Sequence, residues 1–255
     1  MKQVKGLLRA TDLIARDTIQ YQIELSPALL TEIKPGQFVH VRIDQTAAHM
    51  LRRPISICDI DFEKNLLTLI FKVVGKGTAK LKEKQIETMI DLLIPCGNGY
   101  PLDELDAEHV LLIGGGIGVP PLYYLAKKLT EQGIKVTAVL GFQSKADVFY
   151  EDAFKALGDC FITTNDGSYG DTGFVTDVIE QRQLTGDYYF SCGPTLMLKA
   201  VKTKMQAVPG YISLEERMGC GIGACYACVI DKADDSGNVK ICHDGPVFRA
   251  NEVIL

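Results

Sequence analysis

The sequence predicts a multidomain β plus α/β fold: an N-terminal antiparallel β-barrel, a parallel-sheet α/β domain and a small C-terminal cysteine segment. Three observations carry that prediction. Apolar residues alternate with polar ones through residues 1–100, and from His109 continuous apolar runs alternate with helical stretches. Near the end, Gly219-Cys220-Gly221-Ile222-Gly223-Ala224-Cys225-Tyr226-Ala227-Cys228 packs three thiols into one loop, with Cys242 following.

In the first part, Thr18 to Leu25 alternates strictly, placing Ile19, Tyr21, Ile23 and Leu25 on one face of a strand. Pro35-Gly36 marks a turn, and Phe38 to Ile43 resumes the alternation. Leu66 to Val74 and Glu87 to Pro95 add further short strands, a spacing that suggests a small barrel. The period changes near residues 101–108, the expected first boundary. His109 to Ile113 is then a buried strand, and Gly114-Gly115-Gly116-Ile117-Gly118-Val119-Pro120-Pro121 opens a helix running to about Gln132. Lys135 to Gly141, Cys160 to Thr164 and Asp187 to Ser191 read as strands. Val148 to Leu157, Phe174 to Gln181 and Thr195 to Gln206 read as the helices between them. Such alternation means a parallel sheet covered on both faces, the Rossmann-like architecture expected over 101–209. Val208-Pro209-Gly210 sets the second boundary, leaving 210–255 for the cysteines.

Composition narrows the function. The 255 residues are 47% hydrophobic, ample for real cores, and carry a net charge of −5 without basic runs, so no nucleic-acid partner is expected. The longest apolar stretch, Val110 to Ala126, is broken by glycines and Pro120-Pro121, so no membrane span is expected. Met1 to Gly6 is not an apolar secretory start, which points to a cytoplasmic, reducing setting where thiols favour metal over disulfides.

The C-x4-C-x2-C spacing of Cys220, Cys225 and Cys228, completed by Cys242, is that of a plant-ferredoxin-type 2Fe–2S centre. Glycines there let backbone amides approach the cluster sulfurs. Structural zinc also accepts four cysteines, usually as two separated short pairs, and a colourless zinc scaffold is the competing reading. Cys58, Cys96 and Cys160 read as small buried hydrophobes.

The glycine loop leaves amides free at a helix start, suited to a pyrophosphate at Gly114, Gly115, Gly116 and Gly118. It departs from the Rossmann fingerprint in Pro121, and the next strand ends in Gly141-Phe142-Gln143-Ser144 without an acid for a ribose hydroxyl. No arginine for a 2′-phosphate stands there either, only Lys145, which favours NAD over NADP. Asp166-Gly167-Ser168-Tyr169-Gly170 could border the nucleotide or be plain turn sequence. Arg52-Arg53-Pro54-Ile55-Ser56-Ile57 offers fixed cations and a hydroxyl on a strand-like edge, and Gly75-Lys76-Gly77-Thr78 a second anion-binding turn. Alone, two adjacent arginines read as a solvated pair; the nearby glycine turn shifts the reading towards phosphate.

Arg53-Pro54-Ile55-Ser56 resembles the Arg-x-Tyr-Ser flavin motif of the ferredoxin–NADP reductase superfamily, with Ile55 replacing the aromatic residue. Gly114 to Pro121 resembles that superfamily's nucleotide loop, and Cys192-Gly193-Pro194 its Cys-Gly-Pro strand end. The order of the three parts, with the last cysteine so close to the others, resembles the electron transfer subunits of class B dihydroorotate dehydrogenases. The resemblance implies FAD held by Arg53, Pro54, Ile55 and Ser56, then Ile70, Phe71 and Lys72, then Gly77 and Thr78. It implies NAD as exchanging co-substrate near Gly193 and Pro194, with Cys192 at the hydride site as a positional contact rather than a nucleophile. It also implies an FMN-containing catalytic subunit as partner, in a heterotetramer of two plus two. His243, beside Cys242, reads as a bystander.

Three cofactor modules consume the chain and leave no substrate domain. A flavin exchanging hydride with nicotinamide needs a cluster only if single electrons pass to or from another protein. The alternatives are the reductase of a ring-hydroxylating oxygenase, whose cluster domain is usually longer, and an electron-bifurcating or sulfur-metabolism flavin subunit. Tyr226 either faces the partner or simply covers the cluster.

Overall fold

The computed structural model describes residues 1–44, 46 and 49–255. Strands β1 (Lys2–Ala15), β2 (Thr18–Glu24), β3 (Phe38–Val41), β4 (Arg53–Asp61), β5 (Leu66–Lys72) and β6 (Met89–Cys96) close into an antiparallel barrel in the order β1-β2-β5-β4-β3-β6. The strict alternation of β2 sets its register: Ile19, Tyr21 and Ile23 pair with Phe71, Leu69 and Leu67 of β5 and fill the barrel core. Two short helices, α1 (Pro27–Leu30) and α2 (Lys76–Lys82), join these strands. The sequence pattern does not announce β1, because register shifts at Leu8/Ala10 and Leu13/Ala15 break its alternation.

The α/β part follows the expected order: β7 (His109–Gly115), α3 (Pro120–Glu131), β8 (Lys135–Phe142), α4 (Glu151–Lys155), β9 (Asp159–Thr164), β10 (Asp171–Thr172), α5 (Val175–Gln181), β11 (Tyr188–Cys192) and α6 (Thr195–Lys204). The helix expected over 148–157 shortens to α4, because Tyr150 at its entry takes a left-handed φ of 64° that no helix can continue through. The chain then forms β12 (Gly210–Ser213), a hairpin of β13 (Val229–Asp231) and β14 (Asn238–Lys240), and β15 (Val247–Arg249). Both β12 and β15 join the large sheet, ordered β10-β9-β8-β7-β11-β12-β15, with β15 alone antiparallel. The cysteine segment therefore leaves from one strand of this sheet and returns to it on the next.

Polar contacts fix the barrel on the sheet. Asp147, only 5% exposed, accepts from Lys72 Nζ at 3.1 Å and from the Arg16 guanidinium, both cations of the barrel. Lys127 of α3 donates to Asp59 of β4 at 2.6 Å, and Tyr150 Oη to Gln20 Oε1 at 2.8 Å. Among the described residues no helix is long and apolar enough to cross a membrane.

Candidate functional site

A cavity of about 680 Å³ opens between the barrel, the sheet and the cysteine segment. Its barrel wall contains Arg53, Pro54, Ile55 and Ser56 of β4, Ile70, Phe71 and Lys72 of β5, and Thr78 of α2. Eight of the nine residues expected around the flavin thus meet in one groove. Gly77, the ninth, lies beneath it: a Cβ there would stand 2.6 Å from Arg53 Nη2, so only glycine lets the guanidinium lie across that turn. The two arginines part company. Arg52 donates to Asp91 Oδ1 at 2.7 Å and to the carbonyls of His40 and Asp91 at 3.2 Å, which ties β3, β4 and β6 together. Among the described residues Arg53 donates only to the backbone carbonyls of Leu51 and Arg52, both through Nη1, which leaves Nε and Nη2 to meet an anion. Lys72 is half committed, since Asp147 holds its ammonium.

The opposite wall is Leu214, Glu215, Glu216, Arg217 and Met218, five residues of the 210–255 segment between β12 and the cysteines. No local pattern marks these residues; their place follows from β12 ending at the groove. Glu215 opens onto the cavity, and the dense protein around it pushes its carboxyl above the ordinary range.

The glycine loop and the Cys-Gly-Pro turn lie side by side, at the C-terminal ends of the adjacent strands β7 and β11. A Cβ at Gly118 would stand 2.4 Å from the Cys192 carbonyl, and one at Gly115 2.4 Å from Met197 Sδ. Gly114 packs tightly against Val119, Leu122 and Leu140, while Gly193 (φ 154°) abuts Gly115. Gly116 (φ 52°) has open space where a side chain would be, and Pro194 caps α6. Only Ile117 of the loop reaches the cavity walled by Arg53–Ser56. Cys192 is fully buried; burial first, then the nearby Glu215 carboxylate, push its thiol far above the ordinary range, so it is a neutral thiol and no nucleophile. The missing strand-end acid has a counterpart in Asp147, but its carboxylate is spent on Arg16 and Lys72. Asp166 accepts from the Ser168 amide and hydroxyl at 3.0 and 2.6 Å, an Asx turn.

The four C-terminal thiols fall into two pairs. Cys225 N–H donates to Cys220 Sγ at 3.3 Å and Cys220 N–H to Cys225 Sγ at 3.5 Å, while Cys242 N–H donates to Cys228 Sγ at 3.5 Å. Ile222 and Gly223 add their amides to Cys220 Sγ at 3.5 Å and Cys242 Sγ at 3.3 Å. Two sulfur pairs ringed by inward N–H groups suit a dinuclear centre, which takes two thiolates on each iron. Burial raises the Cys220 thiol, but the surrounding amides and the Cys225 thiol outweigh it and hold it at about 6, ready for metal. His243 points elsewhere, bonded to Asp244 at 2.8 Å.

A barrel docked on a nucleotide-type sheet, with paired thiols beside their shared groove, defines a redox module of the ferredoxin-reductase type. Comparison with known proteins narrows that class. Residues 215–254 match the iron–sulfur cluster binding domain of dihydroorotate dehydrogenase B. The chain is 52% identical to the dihydroorotate dehydrogenase B (NAD(+)) electron transfer subunits of Shouchella clausii (95% of this chain, 94% of that one) and Geobacillus kaustophilus (95% of each). It is 32% identical to a solved NADH-dependent reduced ferredoxin–NADP oxidoreductase, with a TM-score of 0.87 over 98% of this chain and 90% of the other. Phthalate dioxygenase reductase, 15% identical with a TM-score of 0.66 over 94% of each chain, shares the fold. The chain belongs to the family of dihydroorotate dehydrogenase B (NAD(+)) electron transfer subunits.

Proposed function

We propose that this chain carries electrons from the FMN of a separate dihydroorotate dehydrogenase catalytic subunit, through a 2Fe–2S cluster and FAD, to NAD in pyrimidine (UMP) biosynthesis. The observation that carries this reading is the shared groove. The wall facing Arg53–Ser56 runs directly into the first cluster cysteine, Met218 standing two residues before Cys220. When bound, the flavin supplies hydride exchange with nicotinamide and the cluster supplies one-electron exchange with the partner.

The residues divide the work. Cys220 and Cys225 form one thiolate pair of the cluster and Cys228 and Cys242 the other. Arg53 clamps flavin phosphate above Gly77 and Thr78. Pro54, Ile55, Ser56, Ile70, Phe71 and Lys72 form the flavin's bed, with Ile55 giving an aliphatic rather than aromatic surface. Gly114, Gly115, Gly116 and Gly118 present the turn for the NAD pyrophosphate. Gly193 and Pro194 border the nicotinamide, and the neutral Cys192 thiol fills space behind them. The residue spans assign the barrel (1–100) to FAD, 101–209 to NAD and 210–255 to the cluster. A two-plus-two heterotetramer and a cytoplasmic location complete the proposal; thiolates that must stay reduced to hold a cluster suit a reducing compartment.

The purified chain should be brown-yellow and, once reduced, give a 2Fe–2S electron paramagnetic resonance signal. Cys242→Ser should abolish that signal. A colourless preparation overturns the cofactor assignment, and an unchanged signal in the variant overturns the fourth ligand.

A further inference from the structure

Strand β3 is buried on both faces, which a barrel strand with one face to solvent would not be. Val39 and Val41 point into the barrel core, while Phe38 and His40 point outwards and are covered by the cysteine segment. His40 is completely buried there. The Gly221 backbone lies against its ring, since a Cβ at Gly221 would stand 2.3 Å from Cε1 and 2.4 Å from Nε2. Gly221 directly follows Cys220 and takes a φ of 69°. On the other side, the ring of Phe38 lies 5.5 Å from the imidazole, and Phe38 lines the flavin cavity. His40 thus stands between the flavin groove and the Cys220 loop.

Its hydrogen bonding is incomplete. Among the described residues, Nε2 faces only the thioether of Met218 at 3.3 Å, and Nδ1 has no partner. A neutral imidazole carries one N–H, so in either tautomer that N–H meets no oxygen or nitrogen acceptor. A leucine or phenylalanine would fill the volume without leaving a polar atom stranded. The missing acceptor should lie on the side of the loop that His40 touches.

We propose that His40 is a positioning residue of the electron path: its ring braces the Cys220 loop against the flavin groove, and its N–H is donated to a sulfur on the Cys220 side of the cluster. The proposal rests on the cluster assignment above. Hydrogen bonds to cluster sulfurs stabilise the reduced, more negative state and so raise its potential.

The test is a redox titration of the full chain with bound flavin and cluster, monitored by electron paramagnetic resonance, in native protein, His40→Leu and His40→Gln. A native protein without the reduced-cluster signal refutes the cluster assignment itself, separately from His40. With that signal present, His40→Leu should lower the cluster midpoint and shift electron sharing towards the flavin about tenfold, which for one electron is about 59 mV. His40→Gln, which keeps an N–H donor, should hold the midpoint between those of His40→Leu and the native protein. Cluster potentials unmoved in both variants overturn the proposal. A glutamine variant as low as the leucine variant, or one that keeps flavin but loads no cluster, also overturns it, because the residue would then act through shape alone.

Discussion

At the scale of single residues, Arg52 and Arg53 show how adjacency conceals opposite roles. Arg52 is spent on Asp91 and two strand carbonyls, so Arg52→Ala takes from Asp91 its closest cation, leaving it Gln3 and an Arg42 guanidinium 4.0 Å away, and should cost about 1–3 kcal/mol of stability. Arg53 has no carboxylate partner among the described residues and lies over Gly77, so Arg53→Ala should leave the thermal midpoint nearly unchanged while weakening FAD roughly ten- to a hundredfold. Flavin retained after dialysis, set beside the unfolding curve, separates the two. Equal flavin loss in both variants would contradict the assignment of Arg53. The sequence signals the pair but not the division, because the division depends on Asp91 reaching across from β6. His40 was equally silent: a lone histidine in an alternating strand reads as an ordinary core residue until the cysteine segment is seen lying on it.

At the scale of elements, the junctions carry the function. Asp147 sits just beyond β8 and joins the sheet to Arg16 and Lys72 of the barrel. Burial raises its carboxyl, but bonds from Lys72, Ser144 and Arg16 outweigh that and hold it below the ordinary value of 3.8. A carboxylate depressed in the folded state contributes stability that is fully present above its unfolded pKa and is lost as pH falls through the folded one. Docking of the barrel on the sheet should therefore weaken below about pH 4, and Asp147→Asn should remove that part of the acid dependence and lower stability at neutral pH. An unfolding series against pH checks it; parallel acid limbs for variant and native protein would count against the clamp. The glycine loop gives a second test. Alanine at Gly118 drives a methyl into the Cys192 carbonyl, whereas a bulky residue at Gly116 projects into open space above the loop. Both should slow reduction of bound flavin by NADH with flavin and cluster spectra intact, and unimpaired reduction in the Gly116 variant would remove the pyrophosphate from this turn. Most strands were legible because alternation and apolar runs record burial directly. The groove wall Leu214–Met218 was not, since its residues gain meaning only from β12 joining the sheet that the glycine loop also ends.

At the scale of the whole molecule, barrel, sheet and cysteine segment share one groove, and the proposed function gives each of the three to a cofactor. The chain alone should therefore reduce artificial acceptors with NADH yet leave dihydroorotate untouched. Mixed with an FMN-containing catalytic subunit, it should couple dihydroorotate oxidation to NAD reduction. Single electrons need a short path, so the partner should dock over the cysteine loop, where Ile222 (46% exposed) and Tyr226 (73% exposed) form an apolar outer surface. Lys240 holds that loop, its ammonium 4.4 Å from the centre of the Tyr226 ring and 2.7 Å from the Gly223 carbonyl. The Tyr226 ring is thus presented outwards rather than folded over the thiols, which favours a docking role above that of a lid. Tyr226→Asp should leave NADH diaphorase activity and the cluster signal unchanged while lowering coupled turnover at least tenfold, chiefly through weaker subunit affinity. Full coupled activity in that variant would place the contact elsewhere. Dihydroorotate oxidation by the isolated chain, or an oxygenase as the co-purifying protein, would overturn the proposed direction of electron flow from partner to cluster, flavin and NAD.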